Sequence, residues 1–291
     1  MNGSTEARRL ILQVLWSISG PGKIIVQPGQ TLRVGRNQDT GPSLSHDVQL
    51  SKEHFELTWD GERCQLRDLG SITGTWLDGQ VVLSAEVFNK SWIRAGSTDF
   101  SVFIEGFTPP REPPPPAARA AAVQNLQAMQ ALAREAPLFV ILDAARTPRI
   151  LELIRESVEE FQSLYEGPQG QTLADVAPYL VSLPPDSRLL ETLAVEGWMR
   201  NWGIYLTCFL PFVEVRRHLR RFLMVEAEDH EQRLYFRFYD PRVLRIFLPT
   251  CSAQQREELL GPIQTLAFEL DDGAWGLALQ VTRARGGALE R

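Results

Sequence analysis

Six of the chain's 19 prolines lie between Pro109 and Pro116, in the run Pro109-Pro110-Arg111-Glu112-Pro113-Pro114-Pro115-Pro116. Each ring fixes φ and removes an amide donor, so neither a helix interior nor a paired central strand passes through such a run. The 291 residues therefore divide into two segments that must each build a core. The run reads as a semi-rigid spacer; a proline-rich ligand for an aromatic groove is the alternative role. The spacer fits better, because hydropathy changes from a strand pattern before the run to a helix-and-strand pattern after it. The expected limits are 1–107 for the first domain, 108–136 for the linker with an alanine-rich helix over Ala117 to Glu135, and 137–291 for the second domain.

Before the linker, short apolar or alternating runs cover Leu10 to Trp16, Lys23 to Gln27, Thr31 to Val34, His54 to Trp59, Arg63 to Leu69, Thr75 to Leu77, Val81 to Leu83, Ser91 to Arg94 and Phe100 to Glu105. Turn signals such as Ser19-Gly20-Pro21-Gly22, Asp60-Gly61 and Asp78-Gly79 punctuate them. Many short strands with regular turns predict an all-β sandwich. Gly20-Pro21-Gly22-Lys23 lacks the spacing and following helix of a phosphate-binding loop and reads as a hairpin turn.

Three loop clusters of this segment follow in the order Gly35-Arg36, Ser51-Lys52-Glu53-His54 and Ser71-Ile72-Thr73-Gly74-Thr75. That order resembles a forkhead-associated (FHA) domain. The resemblance implies that the loops gather at one end of the sandwich and receive a phosphothreonine peptide. Carried over, Arg36 and Ser51 hold phosphate, Lys52 assists, Ser71 and Thr73 belong to the peptide-facing loop, and His54, Gly35 and Gly74 are structural. A guanidinium fork and a hydroxyl suit phosphate oxygens. Thr73 departs from the pattern, standing where the family carries asparagine. A hydroxyl cannot both donate twice and accept through a separate carbonyl, so the carboxamide's grip on a peptide backbone is lost. Phosphothreonine reading and a sandwich repurposed as a protein dock both remain open.

In the second segment Leu138 to Leu142 reads as a buried strand, and the steps from Pro148 through Leu151, Ile154, Val158, Phe161, Leu164 and Tyr165 predict a helix that Gly167 stops. Trp202 to Leu210 reads as a strand, Pro211 to Leu223 and Ala253 to Leu260 as helices, and Trp275 to Val281 as a closing strand. Within Tyr235 to Pro249, alternation predicts a strand over Arg233 to Tyr239. Asp240 then caps a helix, Pro241 occupies its first turn, and Pro249 ends it. The fold class is mixed α/β.

The string Tyr235-Phe236-Arg237-Phe238-Tyr239-Asp240-Pro241-Arg242 closely resembles the signature of a domain-of-unknown-function family of type VI secretion effector adaptors, or chaperones. The likeness spans Leu138 to Leu270. It includes Asp143-Ala144-Ala145-Arg146, Ser163-Leu164-Tyr165, Ala177-Pro178-Tyr179-Leu180, Trp198, Trp202-Gly203-Ile204, His218-Leu219-Arg220 and Gly261-Pro262-Ile263. It implies a domain that binds a secreted toxin and loads it on a spike protein. Tyr235, Arg237, Tyr239, Arg242 and Arg245 are the candidates for that interface, since Tyr and Arg are enriched among binding hot spots. For Arg237 and Arg245 a core-bracing ion pair is the competing role. Asp143 reads as the cap of the next turn. Arg216, Arg217, Arg220 and Arg221 form a basic stripe, either a solvated face paired with nearby acids or a dock for an acidic partner.

Charge and motif content narrow the function classes. A net charge of −6 disfavours wholesale binding to nucleic acid or an anionic membrane. No window approaches a bilayer-spanning apolar run, and the start of the chain reads as a first strand. Cys64, Cys208 and Cys251 have neither metal-ligand spacing nor an even count, which favours a reducing compartment. His46, His218 and His230 are isolated, and no HExxH, CxxC or Gly-x-Ser-x-Gly occurs, so neither metal, cofactor nor enzymatic activity is expected. The expectation is a non-enzymatic, cytoplasmic bacterial adaptor whose partners are a secreted effector and a spike protein. The alternative is a phosphothreonine-dependent signalling module.

Overall fold

The computed structural model describes residues 7–15, 22–36, 44–114, 116–226, 233–269 and 279–283. Two compact units emerge, Met1–Pro109 with Arg155–Val158, and Pro110–Ile154 with Glu159–Arg291.

The first unit is a β-sandwich of ten strands: β1 (Leu10–Val14), β2 (Gly22–Val26), β3 (Gln30–Val34), β4 (Phe55–Trp59), β5 (Cys64–Asp68), β6 (Thr75–Leu77), β7 (Gln80–Val82), β8 (Ser84–Val87), β9 (Trp92–Ala95) and β10 (Thr98–Ile104). One sheet runs β2-β1-β10-β9-β6-β7 and the other β3-β4-β5-β8, with every pairing antiparallel. Alternate residues Leu10, Leu12 and Val14 of β1 enter a core with Leu57, Trp59, Leu66, Phe100 and Val102. All nine expected strands are present in whole or part. The additional one, β8, buries only Val87 fully. Asp78 and Gly79 both take positive φ, +48° and +85°, as the two-residue turn joining β6 to β7 requires.

The second unit contains α1 (Pro116–Glu135), β11 (Leu138–Asp143), α2 (Pro148–Arg155), β12 (Phe161–Ser163), α3 (Gly167–Thr172), β13 (Pro178–Leu183), α4 (Arg188–Thr192), β14 (Gly203–Cys208), α5 (Phe212–Arg220), β15 (Met224–Glu226), β16 (Arg233–Tyr235), α6 (Pro241–Thr250), α7 (Ala253–Leu260), β17 (Ile263–Glu269) and β18 (Leu279–Arg283). Its sheet, β12-β13-β11-β14-β17-β18, is antiparallel throughout. All six residues of β11 are buried, and its side chains divide between two cores. Phe139 and Ile141 pack with Phe212, Leu219, Leu244 and Leu260 of α5, α6 and α7. Leu138, Val140 and Leu142 pack with Met129 of α1, Ile150 and Ile154 of α2, and Leu189 of α4. Helices therefore cover both faces of the sheet.

Two expectations need correction. The helix predicted from Pro148 to Gly167 ends at Arg155, because Phe161 to Ser163 pairs with Val181 to Tyr179 as an edge strand; sheet pairing overrides a helical period. The strand predicted over Arg233 to Tyr239 stops at Tyr235, since a turn closed by the Asp240 amide on the Arg237 carbonyl (3.0 Å) buries Phe238 and Tyr239 together. The part of the predicted closing strand over Trp275 to Ala278 lies outside the described residues, and β18 supplies the sheet edge. Cys64 and Cys208 are buried free thiols, and burial pushes the Cys64 pKa up to about 12.

Gly203 lies so close to the central strand that a Cβ on it would stand 1.9 Å from the Ile141 carbonyl oxygen. Gly203→Ala is therefore expected to force β14 off β11 and destabilise the second unit by about 4 kcal/mol or more. Thermal unfolding of the full chain should show that unit's transition lost or shifted far down; an unchanged profile would refute the assignment.

Candidate functional site

One imidazole joins the second and third loops of the sandwich, and a backbone bond ties the first loop to the second. Gly35 sits where a Cβ would be 2.0 Å from the Lys52 carbonyl oxygen, so only glycine lets the end of β3 close on the Ser51 loop. The Arg36 amide donates to the Ser51 carbonyl at 3.0 Å. The Ser51 amide donates to His54 Nδ1 at 3.1 Å, which leaves the proton on Nε2 to be donated to the Gly74 carbonyl at 3.1 Å. His54 is fully buried, and burial holds its pKa below the ordinary value despite the Gly74 bond. Ser51 Oγ accepts from the Ile72 amide at 3.0 Å, adding a direct tie between the second and third loops.

Asp68, at the end of β5, accepts from the Gly70 and Ser71 amides and from the Ser71 and Thr75 hydroxyls. Burial pushes its carboxyl up, but these donors outweigh it and hold the pKa below the ordinary value. Sequence reasoning missed Asp68; the signal was an aspartate just before Leu69-Gly70-Ser71, an Asx-turn pattern. Ser71 therefore turns its hydroxyl inward, and the Thr73 hydroxyl contacts the Gln49 carbonyl at 3.4 Å. Arg36 differs. Its side chain makes no hydrogen bond or ion pair among the described residues, and its Nε is buried without a partner. Lys52 is exposed beside it in the loop series. Arg36, Ser51 and Lys52 are thus brought to one loop cluster, while Ser71 and Thr73 carry internal bonds.

In the second unit, the residues singled out in the sequence mostly hold one another. Buried Asp143 ends β11, accepts from the Ala145 amide at 3.2 Å and pairs with Arg237. Burial pushes its pKa up in spite of that guanidinium. Tyr165, Tyr235 and Tyr239 form a chain of hydroxyls, with 2.9 Å between the last two. Arg216 donates to the Ser163 carbonyl at 2.7 Å, Arg220 to the Leu164 carbonyl at 2.8 Å, and both pair with Glu166 at 2.6 Å. These two arginines of the basic stripe therefore clamp Ser163-Leu164-Tyr165, while Arg217 pairs with Glu214 and Arg221 donates to His218 Nδ1. A Cβ at Gly261 would lie 2.5 Å from the His218 ring, which places those two motifs in contact.

Of the five expected interface residues, Tyr239 is buried. Arg242 pairs with the helix cap Asp240 at 2.6 Å, and Arg245 donates to the Glu269 carbonyl and Asn201 Oδ1 at 3.0 and 3.1 Å. Pro241 follows as the buried first residue of α6. Tyr235 keeps 42% exposure and stands with exposed Met224 and Leu234 on the β15–β16 hairpin. Glu269, near Asn201 at the end of β17, is buried; burial pushes its pKa up to about 7, partly offset by the Asn201 amide.

His54→Ala should cost about 2–4 kcal/mol through two lost bonds and a cavity. Because the folded ring resists a proton that the unfolded one accepts, its contribution is present above about pH 6.5 and is lost on acidification. Glu269 has the opposite sign. Its folded pKa of about 7 exceeds the ordinary 4.5, so its contribution is present below pH 4.5 and lost as pH rises through about 7. Glu269→Gln should therefore stabilise the chain at pH 8 by up to about 3 kcal/mol and flatten the slope between pH 5 and 7. Melting curves of both variants and the wild type from pH 5 to 8 check the two signs.

Family comparison agrees with this geometry. The FHA domain model matches residues 32–96, and the model for a domain of unknown function, DUF4123, matches residues 138–258. Among solved structures, the chain is similar to the FHA domain of a Chlamydia trachomatis protein, at 22% identity over 33% of this chain and 96% of that one, TM-score 0.30. It is similar to the FHA domain of an Arabidopsis thaliana hypothetical protein, at 22% identity over 38% and 98%, TM-score 0.32. A third is the FhaA FHA domain complexed with the intracellular domain of a second protein, at 28% identity over 32% and 98%, TM-score 0.29. A search of curated proteins finds no match. The chain joins an N-terminal FHA domain to a C-terminal DUF4123 domain.

Proposed function

We propose that this chain is a non-catalytic adaptor of bacterial type VI secretion, in which the DUF4123 domain holds a segment of a secreted effector for delivery to a spike protein. The resemblance of Tyr235 to Arg242 and its companion motifs to the effector-adaptor family supports the reading. The observation that carries it is the β15–β16 hairpin, where Met224, Leu234 and Tyr235 present apolar and aromatic surface. Such residues anchor protein interfaces. The adaptor works in the cytoplasm, before export of its cargo. Among the described residues no helix is long and apolar enough to cross a membrane.

An FHA domain supports phosphopeptide-mediated protein interaction, and here it adds a second contact. Two modest contacts on one chain raise effective concentration, so neither need be tight alone. The Arg36 guanidinium, unpartnered among the described residues, favours a phosphothreonine peptide as the ligand of that contact, with Ser51 and Lys52 beside it. The same observation supports a second reading, a phosphothreonine-dependent signalling module.

Co-purification with the product of an adjacent toxin-like gene tests both. Wild type and Arg36→Ala should retain the effector, whereas Tyr235→Ala should weaken capture by about tenfold, the effect of losing a hot-spot contact. Loss of effector capture by every variant, together with Arg36-dependent binding of a phosphothreonine peptide, would replace the adaptor reading with signalling.

A further inference from the structure

The DUF4123 unit carries a cavity of about 570 Å³ whose walls hold four arginines, Arg111, Arg146, Arg149 and Arg200. That volume is in the range of ligand sites. The four cations are not equally occupied. Arg149 is buried and makes a bidentate pair with Glu196 at 2.9 and 3.0 Å. Arg111 pairs with Glu152 at 2.7 Å. Among the described residues Arg200 has only long contacts, 3.3 Å to the Pro113 carbonyl and 3.5 Å to Glu112, and its guanidinium lies 5.9 Å from the Trp202 ring. Arg146 is exposed and makes no hydrogen bond or ion pair among the described residues, although its charge reaches Asp240 and Glu269.

The backbone of the same wall is strained. Met199 and Asn201 both adopt positive φ, +63° and +51°. Asparagine tolerates that region, but methionine does so at a cost. The strain follows a π-type turn at Leu193–Gly197, which carries Glu196, and such turns are common at functional sites. Asn201 is held in place from outside the cavity, its Oδ1 accepting from Arg245 and its amide donating to Glu269.

We propose that this cavity receives the carboxylate of an acidic side chain from a partner polypeptide, seated between Arg146 and Arg200, and that Glu112 occupies the seat weakly until it is displaced. Charge favours a carboxylate over a phosphate. Arg111 and Arg149 already have carboxylates of their own, and Arg200 keeps Glu112 only through a single long contact of 3.5 Å. The unmet demand is for one singly charged, bidentate acceptor. Glu112 is 77% exposed at its side chain, so it leaves without disturbing a core. The volume admits a glutamate side chain with its flanking backbone, and Trp202 with Met199 provides an apolar wall for the methylenes.

The site is distinct from the FHA loops and does not depend on an effector being the cargo. Its test uses the full chain, following the arginine Nε–Hε resonances of Arg146 and Arg200 by NMR, assigned with Arg146→Lys and Arg200→Lys. The probes are N-acetylglutamic acid α-amide, the matching capped glutamine, and inorganic phosphate. Capped glutamate should shift both resonances saturably. Glu112→Gln should lower the midpoint concentration about tenfold, and Arg146→Gln should raise it by a similar factor, as expected for a charge-assisted pair. Equal shifts with capped glutamine, or phosphate acting at lower concentration than capped glutamate, would overturn the proposal. So would the absence of a shift in both the wild type and Glu112→Gln. Unchanged melting temperatures of the variants separate a lost seat from a lost fold.

Discussion

Burial of β11 on both faces is the constraint from which the DUF4123 unit follows. A strand whose alternate side chains enter two different cores cannot be covered by one helical layer. α1, α2 and α4 close one side, and α5 to α7 the other. The apolar run must also end, and it ends at a carboxylate that is almost fully buried. An isolated buried charge is costly, so Asp143 requires donors that stay in place. It has the Ala145 amide and Arg237. Holding Arg237 against Asp143 fixes the turn that precedes α6, and that turn inserts Phe238 and Tyr239 into the core. One unfavourable burial at a strand end thus positions a segment about ninety residues away in sequence.

The FHA unit solves a related problem with a neutral group. Its three loops converge at one end of the sandwich, where backbone amides and carbonyls lack strand partners. His54 meets one of each, accepting from Ser51 and donating to Gly74, which a carboxylate cannot do and a hydroxyl does only at shorter reach. The arrangement works only while the ring is uncharged, because a second ring proton would face the Ser51 N–H. Asp47 and Asp68 play the complementary part, Asp68 collecting the Gly70 and Ser71 amides of its own turn and Asp47 joining the Gln49 amide to the Ser97 amide and Thr98 hydroxyl at the junction of β9 and β10. The result is a rigid rim whose internal bonds are complete around Ser71 and nearly so around Ser51, but not around Arg36.

Legibility in the sequence followed the number of faces a segment buries. β1 to β7, β9 and β10 show themselves through alternation or short apolar runs, and β11 through an unbroken apolar run. β8 does not, because Ser84-Ala85-Glu86-Val87 buries one residue fully and pairs through its backbone. The segment from Glu156 to Ser163 looked helical because Val158 and Phe161 keep the period of α2. What decides it is the backbone of β13, which needs an edge partner and has no local signature. Tyr235 and Tyr239 fall within the one strand expected over Arg233 to Tyr239, yet a turn at Arg237 separates an exposed ring from a buried one. Of the site, Gly35, Arg36, Ser51 and His54 were legible through the resemblance of the loop series to an FHA domain; Asp68, which organises the third loop, was legible only as a turn pattern. The cavity bounded by Arg146 and Arg200 was not legible at all, since its walls come from three separated stretches of chain.

The hydrogen bonds sort the singled-out residues into two kinds. Asp143, Arg216, Arg220, His218 and Asp240 direct their polar atoms at other residues of the same unit, and Arg237 does so through its pair with Asp143 while its Nε is buried without a partner. A residue committed in this way holds the fold together, and its bonds do not implicate it in binding. Groups that recognise a partner must retain unmet capacity in the free protein, or hold a contact weak enough to be exchanged. Arg36 and Arg146 satisfy the first condition among the described residues, and Arg200 with its long contact to Glu112 satisfies the second. Tyr235 is intermediate, with its hydroxyl bonded internally and its ring open to solvent. The residues that make this family recognisable are therefore largely those that build the scaffold. Among the described residues, unmet or loosely met capacity is left to a smaller set, Arg36 in one unit and Arg146 and Arg200 in the other.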